Sequence, residues 1–421
     1  MKVTIHPKKL KGEVHIPPSK SLSHRAIIAA GLAKGESIIS NVILSKDILA
    51  TIRGVEAIGA KVIIEGKTLR ITGSEVIRFH SRLDANESGS TLRFFIPIAL
   101  VNPEPMEFTG KNQLIHRPLD SYFEIFKKVG ICYTHPKEAY LPLKTTGGLV
   151  AGCYQVEGNI SSQFITGLLF ALPLLKGDSK IQITTPLESK GYVDLTLDIL
   201  SKFGIQIKNQ NYQEFLISGN QSYTPFHYEV EGDYSQTAFF LIAGAMGADI
   251  KLLGMKKESY QGDKKIVEDI KALGGQLLFD ENCLCCLPSE TTGTEISFSQ
   301  SPDLGPALTV LASVSRGTSI FKEVGRLRIK ECDRVTCMRR ELEALGAHIE
   351  ETQDTMIIQG ISKLNGGMVD SHNDHRVAMA LAMASLKMTE DLTIINAECV
   401  SKSYPDFWEV FEALGGEITY E

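Results

Sequence analysis

No stretch of this sequence is apolar for long enough to cross a bilayer; the best candidates, such as 164–175, are short and interrupted. The opening residues, MKVTIHPKKLKGEV, alternate like a strand and carry no apolar block of the kind that directs export. An excess of positive charge is missing too. The 421 residues hold 44 Lys and Arg against 50 Asp and Glu, a net charge of −6, so nothing global favours nucleic acid. The usual phosphate-loop, HExxH, GxGxxG and GxSxG signatures do not occur in a fitting context. Their absence argues against ATP hydrolysis, zinc chemistry, hydride transfer and a serine nucleophile. The eight cysteines show no repeated CxxC and no partnered HxxxH, which suits thiols in a reducing, cytoplasmic setting. Cys283, Cys285 and Cys286, in LLFDENCLCCLP, read as half-buried strand thiols of a hairpin. Cys332 sits between Glu331 and Asp333, which should raise its pKa and make it a poor nucleophile.

What is present is a repeat. An amphipathic run ending in Gly and followed by an alternating segment recurs at Gly59, Gly130, Gly204, Gly274, Gly346 and Gly415. The spacing is about 70 residues, so six copies account for the chain. Each Gly reads as a helix C-cap, where only glycine enters the left-handed region without strain. The alternating segments, such as AHIEETQDTMIIQG, read as hairpins. The helix before each Gly is expected to open at Ser45, His116, Ser189, Tyr260, Lys330 and Ser401. Upstream of it lies a second helix, apolar nearly all round and therefore buried, with a polar opening: PSKSLSHR, ESGSTLR, SSQFITG, GDYSQTA, PDLGPAL and NDHRVAM. The last copy lacks a strand partner, and VTIHP and EVHIP near the N-terminus are unmatched strands. The N-terminal segment is therefore expected to complete the last copy. Division into three and three makes 19–228 a first domain inserted into a second, 1–18 plus 229–421.

Helix starts attract anions, because free N–H groups and the helix dipole both favour negative charge. Lys20, Arg25, Arg93, Arg117, Lys330, Arg334, Arg376 and Lys402 all fall at corresponding openings of different copies. Such a set suits several phosphates or carboxylates. Asp303, Glu331, Asp233 and Asp374 lie among these cations, and a carboxylate so placed stays ionised and can act as a base.

These openings, in this order from PPSKSLSHRA to SKSYPDF, resemble the 5-enolpyruvylshikimate-3-phosphate synthase (EPSP synthase) family across nearly the whole chain. The resemblance implies an α/β (α+β) fold of two globular domains. Each is built of three βαβαββ units with pseudo-threefold symmetry, helix N-termini facing an inter-domain cleft. It implies transfer of the enolpyruvyl group of phosphoenolpyruvate to the 5-hydroxyl of shikimate 3-phosphate, through a tetrahedral intermediate and with release of phosphate. No metal or organic cofactor is implied, and the expected partners are the two small substrates alone, with no nucleic acid or membrane, for a cytoplasmic monomer. By the same resemblance, Asp303, Glu331 and Lys20 are the catalytic candidates: Asp303 would accept the 5-hydroxyl proton or orient it, Glu331 would give a proton to C3, and Lys20 would contact both substrates and is a candidate for proton transfer. Lys20, Ser21, Arg25, Ser161, Ser162, Gln163, Ser189, Tyr192, Asp303, Arg326 and Lys330 would hold shikimate 3-phosphate. Lys20, Gly89, Arg117, Gln163, Arg334, Arg376 and Lys402 would hold phosphoenolpyruvate.

The chain departs from the family pattern at three places. Glu87 stands where Asn commonly donates to the phosphoenolpyruvate phosphate, and an ionised carboxylate cannot donate. Phe94 replaces a Pro or Leu, and Arg326 replaces an Asn found in some members. Gly89 is kept, and with it the room that the herbicide glyphosate needs. Two alternatives stand beside this reading. A UDP-N-acetylglucosamine enolpyruvyl transferase would carry a reactive Cys before an Arg-Pro pair, yet GKNQLIHRP has none. A non-catalytic anion-binding protein on the same fold would not need Asp303 and Glu331.

Overall fold

The computed structural model describes residues 1–74, 81–280 and 283–421. The chain separates into two units, Lys20–Val230 and Met1–Ser19 with Glu231–Glu421. Each has its own hydrophobic core.

Six four-stranded sheets are formed among the described residues, all with one strand order. In Arg82–Asp84, Met106–Thr109, Leu143–Thr146 and Cys132–Thr134, the first strand pairs parallel with the second. The second pairs antiparallel with the fourth in sequence, and that with the third. The same order recurs in the sheets running from Cys153–Val156 and from Glu295–Ser297. A parallel first pair needs a crossover, and here the crossover is a buried helix.

The other three sheets borrow a strand. Lys2–His6 pairs with Leu392–Ile395 and Glu417–Tyr420, so part of the N-terminal segment does complete the last copy. Lys11–His15 does not follow it; it pairs parallel with Asp249–Leu253 and completes the fourth copy. His227–Glu229 pairs parallel with Gly35–Ser40 and completes the first. The expectation that both N-terminal strands serve one copy is thus half corrected.

The six signature glycines all lie in the left-handed region, with φ of 96° at Gly59, 77° at Gly130, 83° at Gly204, 91° at Gly274, 91° at Gly346 and 89° at Gly415. The strand after each can therefore leave its helix sharply. The buried helices are Lys20–Leu32, Gly89–Ala99, Ser162–Ala171, Tyr234–Ala245, Gly305–Ser313 and His375–Ala384. The amphipathic ones begin later than expected in four copies. Short 3-10 turns occupy Asn112–His116, Gly262–Lys265, Gly325–Ile329 and Ala397–Lys402, and the helices start at Asp120, Ile266, Arg334 and Phe407. The first and third copies start where expected, capped at Ser45 and Ser189.

The cysteine hairpin forms between Gln276–Phe279 and Cys283–Leu287, with Cys286 buried and Cys283 and Cys285 half-buried; residues 281–282 of its expected tip lie outside the described residues. No helix among the described residues is long and apolar enough to cross a membrane.

Candidate functional site

Four of the polar openings are capped by side chains that satisfy free N–H groups. Ser88 accepts from Thr91 N, Ser161 from Gln163 N, Asp233 from Ser235 N and Gln236 N, and Asp374 from Arg376 N. A cap of this kind is worth about 1 kcal/mol. Asp303 is different. It lies in the 3-10 turn Pro302–Leu304, and its oxygens face cations. Oδ1 is 3.1 Å from Lys330 Nζ and 3.0 Å from Arg334 Nη1, and Oδ2 is 3.0 Å from Arg376 Nη2. Burial pushes the Asp303 carboxyl up, but Arg376, Lys330 and Arg334 together hold it well below the usual carboxylate range.

Arg334 is the centre of this cluster and is only 1% exposed. Its Nε donates to Asp374 Oδ2 at 2.7 Å, Nη2 to Glu331 Oε2 at 2.8 Å and Nη1 to Asp303 Oδ1. Burial would lower its pKa, but Asp374, Glu331 and Asp303 raise it well above the ordinary arginine value. Three cations, Lys330, Arg334 and Arg376, therefore meet three carboxylates, Asp303, Glu331 and Asp374. Lys330 is the soft member: burial brings it down from 10.5 to about 8, against the pull of Asp303. Arg326 lies near enough to act on Lys330 and donates to Ser299 O at 3.4 Å. Lys402 donates to Asn373 O at 2.8 Å, at the edge of the same cluster. Cys332 is raised as expected, but chiefly by the Cys337 thiol and by burial, then by Asp374, rather than by Glu331 and Asp333.

The Lys20–Val230 unit gathers the other expected residues by different means. Lys20 opens its helix and lies 2.9 Å from Asp47 Oδ2. Arg25 is 2% exposed, and every partner it has is neutral: Thr196 Oγ1 at 2.8 Å, Ser21 O at 2.7 Å, Tyr192 O at 3.0 Å and Thr166 Oγ1 at 3.5 Å. Burial without a counter-charge lowers it from 12.5 to about 10. Gln163 accepts from Arg93 Nη1 at 2.7 Å and donates to Ser90 Oγ at 3.0 Å. Gly167 makes this bridge possible, since a Cβ there would sit 2.4 Å from both Arg93 O and Tyr122 Oη. Gly89 admits Arg117 in the same way: a Cβ on Gly89 would lie 2.7 Å from Arg117 Nη1. Ser162 and Ser189 are buried, and Ser189 adopts φ 54°.

The structure thus joins Asp303, Glu331, Lys330, Arg334 and Arg376 directly. Ser21, Arg25 and Tyr192 form a second group, and Gly89, Arg117, Ser90 and Gln163 mark a third. Sequence reasoning gave no role to Asp47, Thr166 or Thr196 and named Asp374 only as a spare carboxylate. Asp47 carried a faint signal as the acid in the first turn after Ser45. The threonines carried none.

The family model for EPSP synthase (3-phosphoshikimate 1-carboxyvinyltransferase) matches residues 5–411. A 3-phosphoshikimate 1-carboxyvinyltransferase of Clostridium perfringens is 52% identical over 423 residues, covering 100% of both chains. One from Clostridioides difficile is 49% identical, covering 98% of this chain and 97% of its own. Among solved structures, an EPSP synthase from Acinetobacter baumannii superposes with a TM-score of 0.83 at 24% identity over 100% of both chains. The enolpyruvyl transferase NikO from Streptomyces tendae gives 0.82 at 16% identity, covering 100% of this chain and 98% of its own. These two likenesses speak for the fold.

Proposed function

We propose a reaction from one premise: this chain belongs to the EPSP synthase family. It is a 3-phosphoshikimate 1-carboxyvinyltransferase, which moves the enolpyruvyl group of phosphoenolpyruvate to the 5-hydroxyl of shikimate 3-phosphate and releases phosphate. We read it as a cytoplasmic monomer. The observation that carries the chemistry is Asp303, a half-buried carboxylate set among Lys330, Arg334 and Arg376.

A carboxylate held so acidic is ionised but weakly basic. Anionic substrates that draw Arg376 and Lys330 toward themselves weaken its counter-charges and raise its proton affinity. Asp303 then accepts the 5-hydroxyl proton as the oxygen attacks C2. Glu331, 22% exposed and beside Arg334, delivers the proton to C3 from its protonated form, which is favoured as the incoming anions draw Arg334 toward themselves. The tetrahedral intermediate collapses as a C3 proton returns to the Glu331 carboxylate, the C–O bond to phosphate breaks, and the proton held by Asp303 leaves with the phosphate. Arg334, Arg376 and Lys402 hold the phosphoenolpyruvate anion, with Arg117, the helix start at Gly89, and Gln163; guanidinium geometry suits such oxyanions. Arg25, Ser21, Ser161, Ser162, Gln163, Ser189 and Tyr192 hold shikimate 3-phosphate with Lys330 and Arg326, and Lys20 touches both substrates.

Phosphate release by the purified protein, supplied with both substrates, tests the reading. Turnover that needs both is expected; no phosphate at any pH would sink it. Glyphosate is expected to inhibit, since Gly89 leaves room that a methyl group would take from Arg117. Unchanged turnover at millimolar glyphosate would contradict that part.

A further inference from the structure

Two neighbouring residues that are not glycine, His372 at φ 51° and Asn373 at φ 56°, lie in the left-handed region. Asn and His enter that conformation more often than most side chains, and two such residues in succession turn the backbone sharply.

The surroundings are specific. His372 Nε2 lies 2.7 Å from Glu341 Oε1, and Glu341 Oε2 accepts from Asp370 N at 2.9 Å. Asp370 Oδ1 accepts from His372 N at 2.7 Å and from Asn396 Nδ2 at 2.9 Å. Ser371 Oγ accepts from Asn373 N at 3.2 Å and donates to Asn396 O at 3.0 Å. Glu341 is buried, on the helix Arg334–Ala344 whose first residue is the central arginine. What the turn presents is equally specific. Asn373 O receives Lys402 Nζ, Asp374 receives Arg334, and Arg376 reaches Asp303. One loop therefore sets three cations, and Glu341 holds that loop to the helix bearing one of them through both His372 and the Asp370 amide.

We propose that His372, fastened to Glu341, is a positioning residue for Lys402, Arg334 and Arg376, and so for phosphoenolpyruvate rather than for shikimate 3-phosphate. This rests on the reading that those three side chains hold phosphoenolpyruvate. His372 touches no substrate; it acts through Asn373 and Asp374. Removing the contact leaves Glu341 only the Asp370 amide to hold and loosens the turn at His372, which misplaces the cations by a fraction of an ångström and weakens anion binding.

Steady-state kinetics of the full chain test it. His372→Ala is expected to raise the KM for phosphoenolpyruvate about tenfold and to leave kcat and the KM for shikimate 3-phosphate within about twofold. His372→Gln keeps an N–H that can donate to Glu341, and is expected to recover all but about threefold of the loss. A merely structural residue would lower the melting temperature without that split between substrates. Equal changes in both KM values, no change in either, or no rescue by Gln would overturn the proposal. If His372→Ala does not fold, His372→Leu carries the same expectation, and failure of both to fold would make the contact a folding element and also overturn it. Absence of turnover by the unmodified protein would remove the proposed function and this inference together; normal turnover with an indifferent His372→Ala removes only the inference.

Discussion

Arg25 and Arg334 are buried to almost the same degree, 2% and 1% exposed, one in each unit, yet they are stabilised in opposite ways. Arg334 is surrounded by Asp303, Glu331 and Asp374. Among the described residues, Arg25 meets hydroxyls, carbonyl groups and the Phe94 ring, 5.2 Å from its guanidinium carbon. The consequence appears in their proton affinities, one pushed above the ordinary arginine value and the other brought down to about 10 by burial. A buried cation without a counter-ion is a standing cost that an anion can offset. A cation already matched by three carboxylates offers less new attraction, but holds those carboxylates in place for proton transfer. The contrast leaves the charge of Arg25 to be met by an anion, while Arg334, besides the phosphoenolpyruvate contact proposed for it, holds Asp303, Glu331 and Asp374 in place.

Three carboxylates share one buried arginine, and that makes the Arg334 cluster fragile. Arg334→Met would leave Asp303, Glu331 and Asp374 without that common partner, so loss of about 3–5 kcal/mol of stability is expected together with loss of measurable turnover. Thermal melting and phosphate release check both; an unshifted melt would show that the cluster does not depend on Arg334. Asp303→Ala removes one carboxylate from that same cluster. Turnover is expected to fall roughly 10²–10⁴-fold, with the fold retained. A near-normal rate would take Asp303 out of the mechanism.

Lys330 sharpens the comparison through pH. Its pKa in the fold is about 8, below the ordinary 10.5, because burial disfavours the charged form. Between those values the unfolded chain keeps a proton that the folded chain has lost, so this residue's contribution to stability rises with pH. Anion affinity moves the other way, falling as Lys330 loses its charge through about pH 8. Calorimetric titration of shikimate 3-phosphate in buffers of different ionisation enthalpy should therefore detect proton uptake above that pH. Uptake unaltered in Lys330→Gln would contradict the assignment.

Much of this was legible in the sequence because it is local. The glycine C-caps, the polar openings and the buried helix after each opening depend on residues within a few positions of one another, and all six copies show them. The strand exchange of Lys11–His15 was not legible, since its partner at Asp249–Leu253 lies far along the chain and alternation says nothing about partners. Four amphipathic helices start late because the runs NQLIH, GDKK, GRLRI and AECVSK form 3-10 turns first. The two arginines show the limit most clearly. Glu331 is three residues from Arg334 and visible beside it, whereas Arg25 takes its partners from Thr166, Tyr192 and Thr196, 141 to 171 residues away. Nothing in SKSLSHR announces that its arginine is surrounded by neutral atoms.

Ligand-induced stabilisation of Arg25→Met tests the division between the two arginines most directly. The unmodified protein should melt higher with saturating shikimate 3-phosphate, by an amount equivalent to about 2.7 kcal/mol at a hundredfold excess over Kd. In Arg25→Met without ligand, the melting temperature is expected to stay close to that of the unmodified protein, because no carboxylate is left unpaired, while the ligand-induced rise disappears. A large fall in the melting temperature without ligand, or a ligand-induced rise equal to that of the unmodified protein, would contradict the account.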